Sequence, residues 1–221
     1  MSYRFRDRFE AGQLLAGKLA GYEGRSDVVV LALPRGGVPV GFAVAERLRA
    51  ALDIFLVRKL GAPGHEEYAM GAIASGGICY INEDAVERLR VPLDVIDQAI
   101  VREREEMERR ERVYRKSDQP IPISNQTVIL VDDGMATGAS MRAAVLAVRL
   151  VHPAHIVIAV PVAPPETCHR LSREVDEMVC LETPEIFYAV GSFYDDFSQV
   201  GDEEVRMMLE RATKFQQMIP A

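Results

Sequence analysis

The chain has 221 residues, of which 48% are hydrophobic and 27% charged, with a formal net charge of −7. This length can bury one α/β core with appendages, so a single domain over residues 1–221 is the expected organisation. The acidic balance argues against a general nucleic-acid coat while permitting a local basic pocket. Residues 7–22 begin with Asp7 and place Phe9, Leu14, Leu15 and Leu19 on one helical face. Val28 to Leu33 is continuously apolar, as for a strand buried on both faces, and runs into Pro34-Arg35-Gly36-Gly37-Val38-Pro39. The two glycines permit close approach of the backbone, and Arg35 supplies a planar donor fork for phosphate oxygens. A helix expected over Val38–Arg49 turns its positive end toward the same turn. A glycine turn after a strand is common, and it gains weight here because the same combination recurs further on.

Asp53 to Val57 reads as a third strand that leads into Arg58-Lys59-Leu60-Gly61-Ala62-Pro63-Gly64. Two adjacent cations at the end of a buried strand pack badly unless an anion meets at least one of them; a pair of solvated surface cations is the plain alternative. His65, Glu66, Glu67 and Tyr68 suit acid/base or stacking contacts and equally suit a polar loop tip. Met70–Ala74 and Ile78–Ile81 flank Ser75-Gly76-Gly77 as a hairpin.

Residues 82–122 read as a helical insertion, with its main helix from about Pro92 to Lys116. Leu93, Ile100, Met107 and Tyr114 recur at heptad spacing, and Ile96 joins them in one narrow apolar stripe. Glu105–Arg109, Glu106–Arg110, Glu108–Arg112 and Glu111–Arg115 are i,i+4 pairs in the favourable order, each worth about 0.2–0.5 kcal/mol. Such a helix supports itself in water, and its interleaved glutamates cancel its arginines as a nucleic-acid surface. Its stripe packs either on the body or on a second subunit, which makes a homodimer one expectation. Ser117-Asp118-Gln119-Pro120-Ile121-Pro122 closes the insertion with a turn.

Val128-Ile129-Leu130-Val131-Asp132-Asp133-Gly134-Met135-Ala136-Thr137-Gly138-Ala139-Ser140 concentrates the chemistry. A buried strand ends in two acids, a small turn with hydroxyls follows, and Met141–Leu150 continues as an alanine-rich helix. The first turn of a helix leaves N–H groups unpartnered at its partly positive end, so an anion fits there. Gly138 lets the backbone approach a phosphate, and Thr137 and Ser140 add hydroxyl donors. Asp132 and Asp133 repel that phosphate and are expected to face sugar hydroxyls or magnesium. The bland reading is a strand capped by acids with Thr137 as an ordinary helix cap.

His155–Val160 is the next buried strand, residues 164–173 a helix and Met178–Leu181 a short strand. The alternation of strands and helices requires a mostly parallel sheet with right-handed crossovers, whose ligands bind beyond the carboxyl ends of the strands. Arg35, Lys59, Asp132 and Asp133 all fall at such ends. Phe187, Tyr188, Phe193, Tyr194 and Phe197 crowd the segment after residue 183, with core packing as the default explanation. An amphipathic helix over Asp202–Met218 is expected to cover the sheet edge. Cys79, Cys168 and Cys180 are widely spaced and odd in number, and no apolar run reaches transmembrane length, so a cytoplasmic protein with no membrane partner is expected. Cys168-His169 lacks a second pair at finger-like spacing, and zinc is not expected.

Val128–Ser140 resembles the phosphoribosyl pyrophosphate (PRPP) motif of the type I phosphoribosyltransferases: apolar strand, two acids, variable residues, Thr-Gly, then a small and a hydroxyl residue. The resemblance covers roughly residues 27–180. It implies an α/β fold with a mostly parallel doubly wound sheet and a hood, to which this chain adds the long helical insertion. Asp132 and Asp133 would hold the ribose, and Ala136, Thr137, Gly138, Ala139 and Ser140 the 5′-phosphate. Arg35, Gly36, Gly37, Arg58 and Lys59 would bind pyrophosphate, with a cis peptide somewhere in Pro34–Gly37. Arg58-Lys59 is similar to the start of the flexible loop of adenine and orotate phosphoribosyltransferases. Residues 181–200 would form the hood, with Tyr188, Phe193 and Tyr194 as base contacts. Mg²⁺ is the implied cofactor, met by Asp132 and Asp133 directly or through ribose or water.

The implied activity belongs to nucleotide metabolism: transfer of phosphoribose from PRPP to a nucleobase-like nitrogen acceptor with release of pyrophosphate. Arg35, Lys59, Asp132 and Asp133 would carry it. A catalytically silent PRPP-binding regulator is the alternative. Ala136 stands where the 6-oxopurine enzymes carry a further acid, and Pro161-Val162-Ala163-Pro164 lacks their lysine, so hypoxanthine and guanine are disfavoured and no other acceptor is selected.

Overall fold

The computed structural model describes residues 3–62, 65–114 and 120–217. Its helices are α1 (Arg8–Lys18), α2 (Gly37–Leu48), α3 (Glu83–Leu89), α4 (Leu93–Tyr114), α5 (Ala139–Arg149), α6 (Pro165–Leu171) and α7 (Asp202–Gln217). Its strands are β1 (Val28–Ala32), β2 (Ala51–Ile54), β3 (Val57–Ala62), β4 (His65–Ala74), β5 (Ile78–Ile81), β6 (Thr127–Val131), β7 (His155–Val162) and β8 (Glu177–Glu182). Five of these strands form a parallel sheet in the order β2-β1-β6-β7-β8. The continuous apolar runs are explained by burial on both faces. Val28, Val30 and Ala32 belong to the core shared with α1 and α2, whereas Val29 and Leu31 belong to the core shared with α5. Asp7 caps α1 by accepting a hydrogen bond from the Glu10 N–H at 2.8 Å. As expected, α7 packs on the edge strand β2 and on α2, with Val205 and Ala212 buried.

The strand expected over Asp53–Val57 is instead divided. β2 ends at Ile54, Phe55 and Leu56 turn away from the sheet, and β3 starts a separate antiparallel sheet in the order β3-β4-β5. The turn is fixed by the Phe55 N–H to the Ala32 carbonyl at 2.9 Å and by the Leu56 N–H to Ser75 Oγ at 2.9 Å. Buried Asp53 also accepts from the Ile121 N–H at 3.1 Å, which ties the segment before β6 back to the core. The hairpin around Ser75-Gly76-Gly77 forms as read, pairing Ala74 with Ile78.

Helix α4 packs on the body, against α7, β3 and β4. Ile96, Ala99, Met107 and Tyr114 are buried, but Leu93, expected in the stripe, is 77% exposed at the first helical position. Glu106 bonds both Arg109 and Arg110, while Glu108 lies 3.9 Å from Arg112, so Arg109 takes the i,i+3 partner in place of Glu105. Arg115, Lys116 and Ser117-Asp118-Gln119 lie outside the described residues, as do Pro63, Gly64 and Met218. Among the described residues no helix is long and apolar enough to cross a membrane.

Candidate functional site

The strand order reverses between β1 and β6, which are hydrogen-bonded neighbours with Ala32 beside Val131. The loops that follow these two strands therefore leave the sheet side by side, at the topological switch point where such sheets bind ligands. The Pro34–Arg35 peptide is cis, within the segment where the resemblance located it. Gly36 and Gly37 lie directly on the two acids. A Cβ on Gly36 would overlap Asp133 Oδ2 and stand 2.6 Å from its Cγ, and one on Gly37 would stand 2.9 Å from Asp132 Cα. Gly36 has helical angles (φ −59°, ψ −35°), so proximity and not backbone freedom is what this position demands.

The two carboxylates are mostly removed from water and point to different neighbours. Asp132 accepts from the Asp133 N–H at 2.8 Å and borders a cleft of about 120 Å³ with Pro34, Arg58, Arg110 and Ser140. Asp133 is held by Arg8, whose Nε donates to Oδ2 at 2.7 Å. Burial raises the ionisation range of both carboxyls; the adjacent charge of Asp133 pushes Asp132 further up, and Arg8 partly offsets the shift at Asp133. Arg8 is itself fixed by the Ser198 carbonyl at 2.8 Å and by the Phe197 ring, 3.8 Å from the guanidinium. The Tyr194 hydroxyl donates to the Asp133 carbonyl at 2.6 Å. Sequence reasoning passed over Arg8. Its signal was a cation in the first turn of a helix, where the helix dipole disfavours positive charge and a carboxylate partner is called for.

Beyond the acids, Gly138 adopts φ +70° and starts α5, with Leu171 and Thr167 leaving no room for a Cβ. Ala136, Thr137, Ala139 and Ser140 are exposed, so the loop expected to take the 5′-phosphate is open to solvent. The loop is propped from behind by α6: the Thr167 hydroxyl donates to the Ala136 carbonyl at 2.8 Å, and Arg170 donates to the Thr137 carbonyl.

The expected pyrophosphate group is partly separated. Arg58 and Lys59 are consecutive in β3 and so point to opposite faces. Arg58 borders the 120 Å³ cleft and pairs with Glu103 of α4. Lys59 instead borders a cleft of about 650 Å³ with Thr137, Gly138, Ala139, Arg142 and Arg170, on the flank of α5. It is thereby placed near the loop at 136–140 and away from Arg58. Arg35 lies 3.3 Å from Asp202 at the start of α7, and the Tyr114 hydroxyl donates to the same carboxylate at 3.0 Å.

Of the expected base contacts, Phe193 and Tyr194 have their rings in a small core with Phe5 and Val162, so neither presents a face to a base. Tyr188 is 86% exposed. The aromatics of segment 187–197 pack on the start of the chain and on one another: Phe5 forms a parallel bridge to Tyr194, and Phe187 stacks on Phe193. The side chains of His65, Glu66, Glu67 and Tyr68 lie outside the described residues.

Comparison with known proteins gives a consistent result. The model of the phosphoribosyl transferase domain family matches residues 7–198. A provisionally named phosphoribosyl transferase of Mycobacterium tuberculosis is 42% identical over 208 residues, covering 94% of this chain and 47% of that protein, so the chain spans about half the relative's length. The bifunctional protein PyrR of Roseiflexus is 35% identical over 124 residues, 55% of this chain and 62% of that protein. The crystal structure of TT1426 from Thermus thermophilus superposes with a TM-score of 0.84 at 44% identity, covering 94% of this chain and 98% of that one.

Proposed function

This chain belongs to the phosphoribosyl transferase family, and from that premise we propose that it transfers phosphoribose from PRPP to a nucleobase-like nitrogen acceptor. One observation carries the reading: the Gly36-Gly37 turn and the Asp132-Asp133 pair are fitted together at the switch point with no space for a Cβ between them. A ligand that joins a diphosphate to a sugar is recognised by such a junction, with the diphosphate on the glycine side and the sugar on the acid side. The exposed loop at Ala136–Ser140 takes the 5′-phosphate, with Lys59 bordering the same cleft.

In the reaction the acceptor nitrogen bonds to the anomeric carbon as the carbon–oxygen bond to pyrophosphate breaks, with the electron pair leaving on pyrophosphate and a proton leaving the acceptor. Positive charge develops on the sugar and negative charge on the leaving group. Asp132 and Asp133 position the sugar by its hydroxyls, and Arg8, as a positioning residue, orients Asp133 and favours its ionised form against the effect of burial. Arg35 and Arg58 face the leaving charge once they exchange Asp202 and Glu103 for phosphate oxygens. The donors present fit magnesium: the two adjacent carboxylates of Asp132 and Asp133 offer hard oxygens. Magnesium, when bound through Asp132 and Asp133, would supply charge neutralisation for the diphosphate.

Calorimetric titration with PRPP and magnesium, followed by a nucleobase screen for released pyrophosphate, tests the proposal. Wild-type protein is expected to bind, and Asp132→Asn to weaken binding at least tenfold without loss of folding. Failure of the wild type to bind PRPP overturns the reading; binding without turnover on any base identifies a PRPP-responsive regulator instead.

A further inference from the structure

Helix α4 carries an internal contradiction that its position resolves. Ile96, Ile100, Glu103, Met107, Arg110 and Tyr114 follow one another at alternating four- and three-residue steps and so share one face of the helix. The first half of that face is apolar and rests in the core. In the second half two charges interrupt it, one on each side of buried Met107. Glu103 is 13% exposed, so its charge costs desolvation unless it meets an opposite one, whereas Arg110 is 45% exposed and keeps solvent beside it. Glu103 meets Arg58. Arg110 faces the 120 Å³ cleft together with Arg58, Asp132, Ser140 and the Pro34 turn.

The bond that Arg110 makes is a weak claim on it. Its Nε donates to Glu106 Oε1 at 2.9 Å, but both oxygens of Glu106 also receive Arg109, at 2.8 and 3.0 Å. Release of Arg110 therefore leaves Glu106 paired. Arg35 and Arg58, by contrast, each have a carboxylate from a covering helix, Asp202 and Glu103. Arg110 is the guanidinium of this cleft that turns toward an anion at least cost.

We infer that Arg110 is a pyrophosphate-binding residue, supplied to the PRPP site by the helical insertion. This rests on the phosphoribosyl-transfer reading. It gives the stripe positions of α4 a purpose: Glu103 and Tyr114 dock the helix over the diphosphate loop, and Arg110 between them contacts the leaving group. The diphosphate would then meet guanidinium groups from three segments, the turn after β1, strand β3 and helix α4.

The test measures binding of inorganic pyrophosphate, PRPP and ribose 5-phosphate, each with magnesium, to wild type, Arg110→Gln, Arg110→Lys and the outward-facing control Arg112→Gln. Loss of a charge-assisted, bidentate-capable donor predicts about 10- to 100-fold weaker pyrophosphate and PRPP binding for Arg110→Gln, with ribose 5-phosphate unaffected. Arg110→Lys is expected to recover part of the loss, and Arg112→Gln to match wild type. Unfolding midpoints of all variants are measured alongside, so a folding defect in Arg110→Gln is recognised and the lysine variant then decides. Wild-type affinity for pyrophosphate in Arg110→Gln, in a protein that binds PRPP, overturns this inference alone. Absence of PRPP binding by the wild type overturns the phosphoribosyl-transfer reading and this inference with it.

Discussion

Replacing Gly36 with alanine is a clean probe of the junction between the two loops, because the helical angles of this residue suit alanine. By backbone entropy alone the change would stabilise the fold by about 0.5–1 kcal/mol. Opposed to that gain, the new Cβ would overlap Asp133 Oδ2, and the side chain must rotate away from Arg8. Arg8 and Asp133 are 11% and 15% exposed, so solvent replaces little of the lost bond. Breaking a hydrogen bond between charged groups at such a site costs roughly 1.5–3 kcal/mol. The clash wins, and the net expectation is a loss of about 1–2 kcal/mol, or roughly 2–8 °C in the unfolding midpoint. Urea and thermal unfolding followed by circular dichroism measure it. The reasoning also demands coupling: in an Arg8→Met background the bond is already gone, and the cost of Gly36→Ala should shrink. Equal or greater stability of Gly36→Ala, or an unchanged cost beside Arg8→Met, would refute the steric account.

Three further outcomes are expected. Tyr194→Phe removes the hydroxyl that donates to the Asp133 carbonyl and should cost about 0.5–1.5 kcal/mol in urea unfolding, with its ring packing intact. Gly138→Ala places a Cβ at 2.9 Å from Leu171 and Thr167 in a left-handed backbone, so a loss of about 1–3 kcal/mol and weaker binding of ribose 5-phosphate should appear together in unfolding and titration experiments. Asp27 is held by Arg25 at about 2, well below its usual range. Its folded value is depressed, so the contribution is present above about pH 4 and disappears as pH falls toward 2; an acid-unfolding profile of Asp27→Asn should lack that part of the slope.

The sheet was legible because its signal is local. Val28–Ala32 and Thr127–Val131 are apolar almost without interruption, and burial on both faces is what makes such runs. The positions of Asp132, Asp133 and the loop at 136–140 were legible for a related reason: polar and small residues directly after such a strand fall at its carboxyl end. Partners were less visible. Nothing in local sequence joins Arg8 to Asp133 or Arg35 to Asp202, because ion pairs across the fold depend on how the elements are stacked. The break at Phe55-Leu56 was missed since a strand leaving one sheet for another remains apolar throughout. Phe193 and Tyr194 were placed at a base by the family resemblance, whereas their neighbours Phe5 and Val162 close them into a core. In α4 the charge pattern itself was readable, but an apolar stripe interrupted by Glu103 and Arg110 acquires meaning only once the helix is seen to cross the cleft.

The seam between residues 5–8 and 193–198 bears on the order in which the molecule becomes competent. Phe5 accepts from Asp195, Arg6 from Asp196, and Arg8 reaches both Asp133 and the Ser198 carbonyl, across separations of 125 and 190 residues. Contacts so distant in sequence are the last whose formation offsets the entropy of closing the loop between them. During synthesis β1 and β6, with Asp132 and Asp133 directly after β6, emerge and can pair before residues 193–198 exist. Until that seam closes, Arg8 lacks its second anchor and Tyr194 is absent from Asp133. Recovery of PRPP binding in a refolding experiment should therefore lag behind recovery of the helical signal, making the Asp132-Asp133 pair a reporter of the final step of assembly.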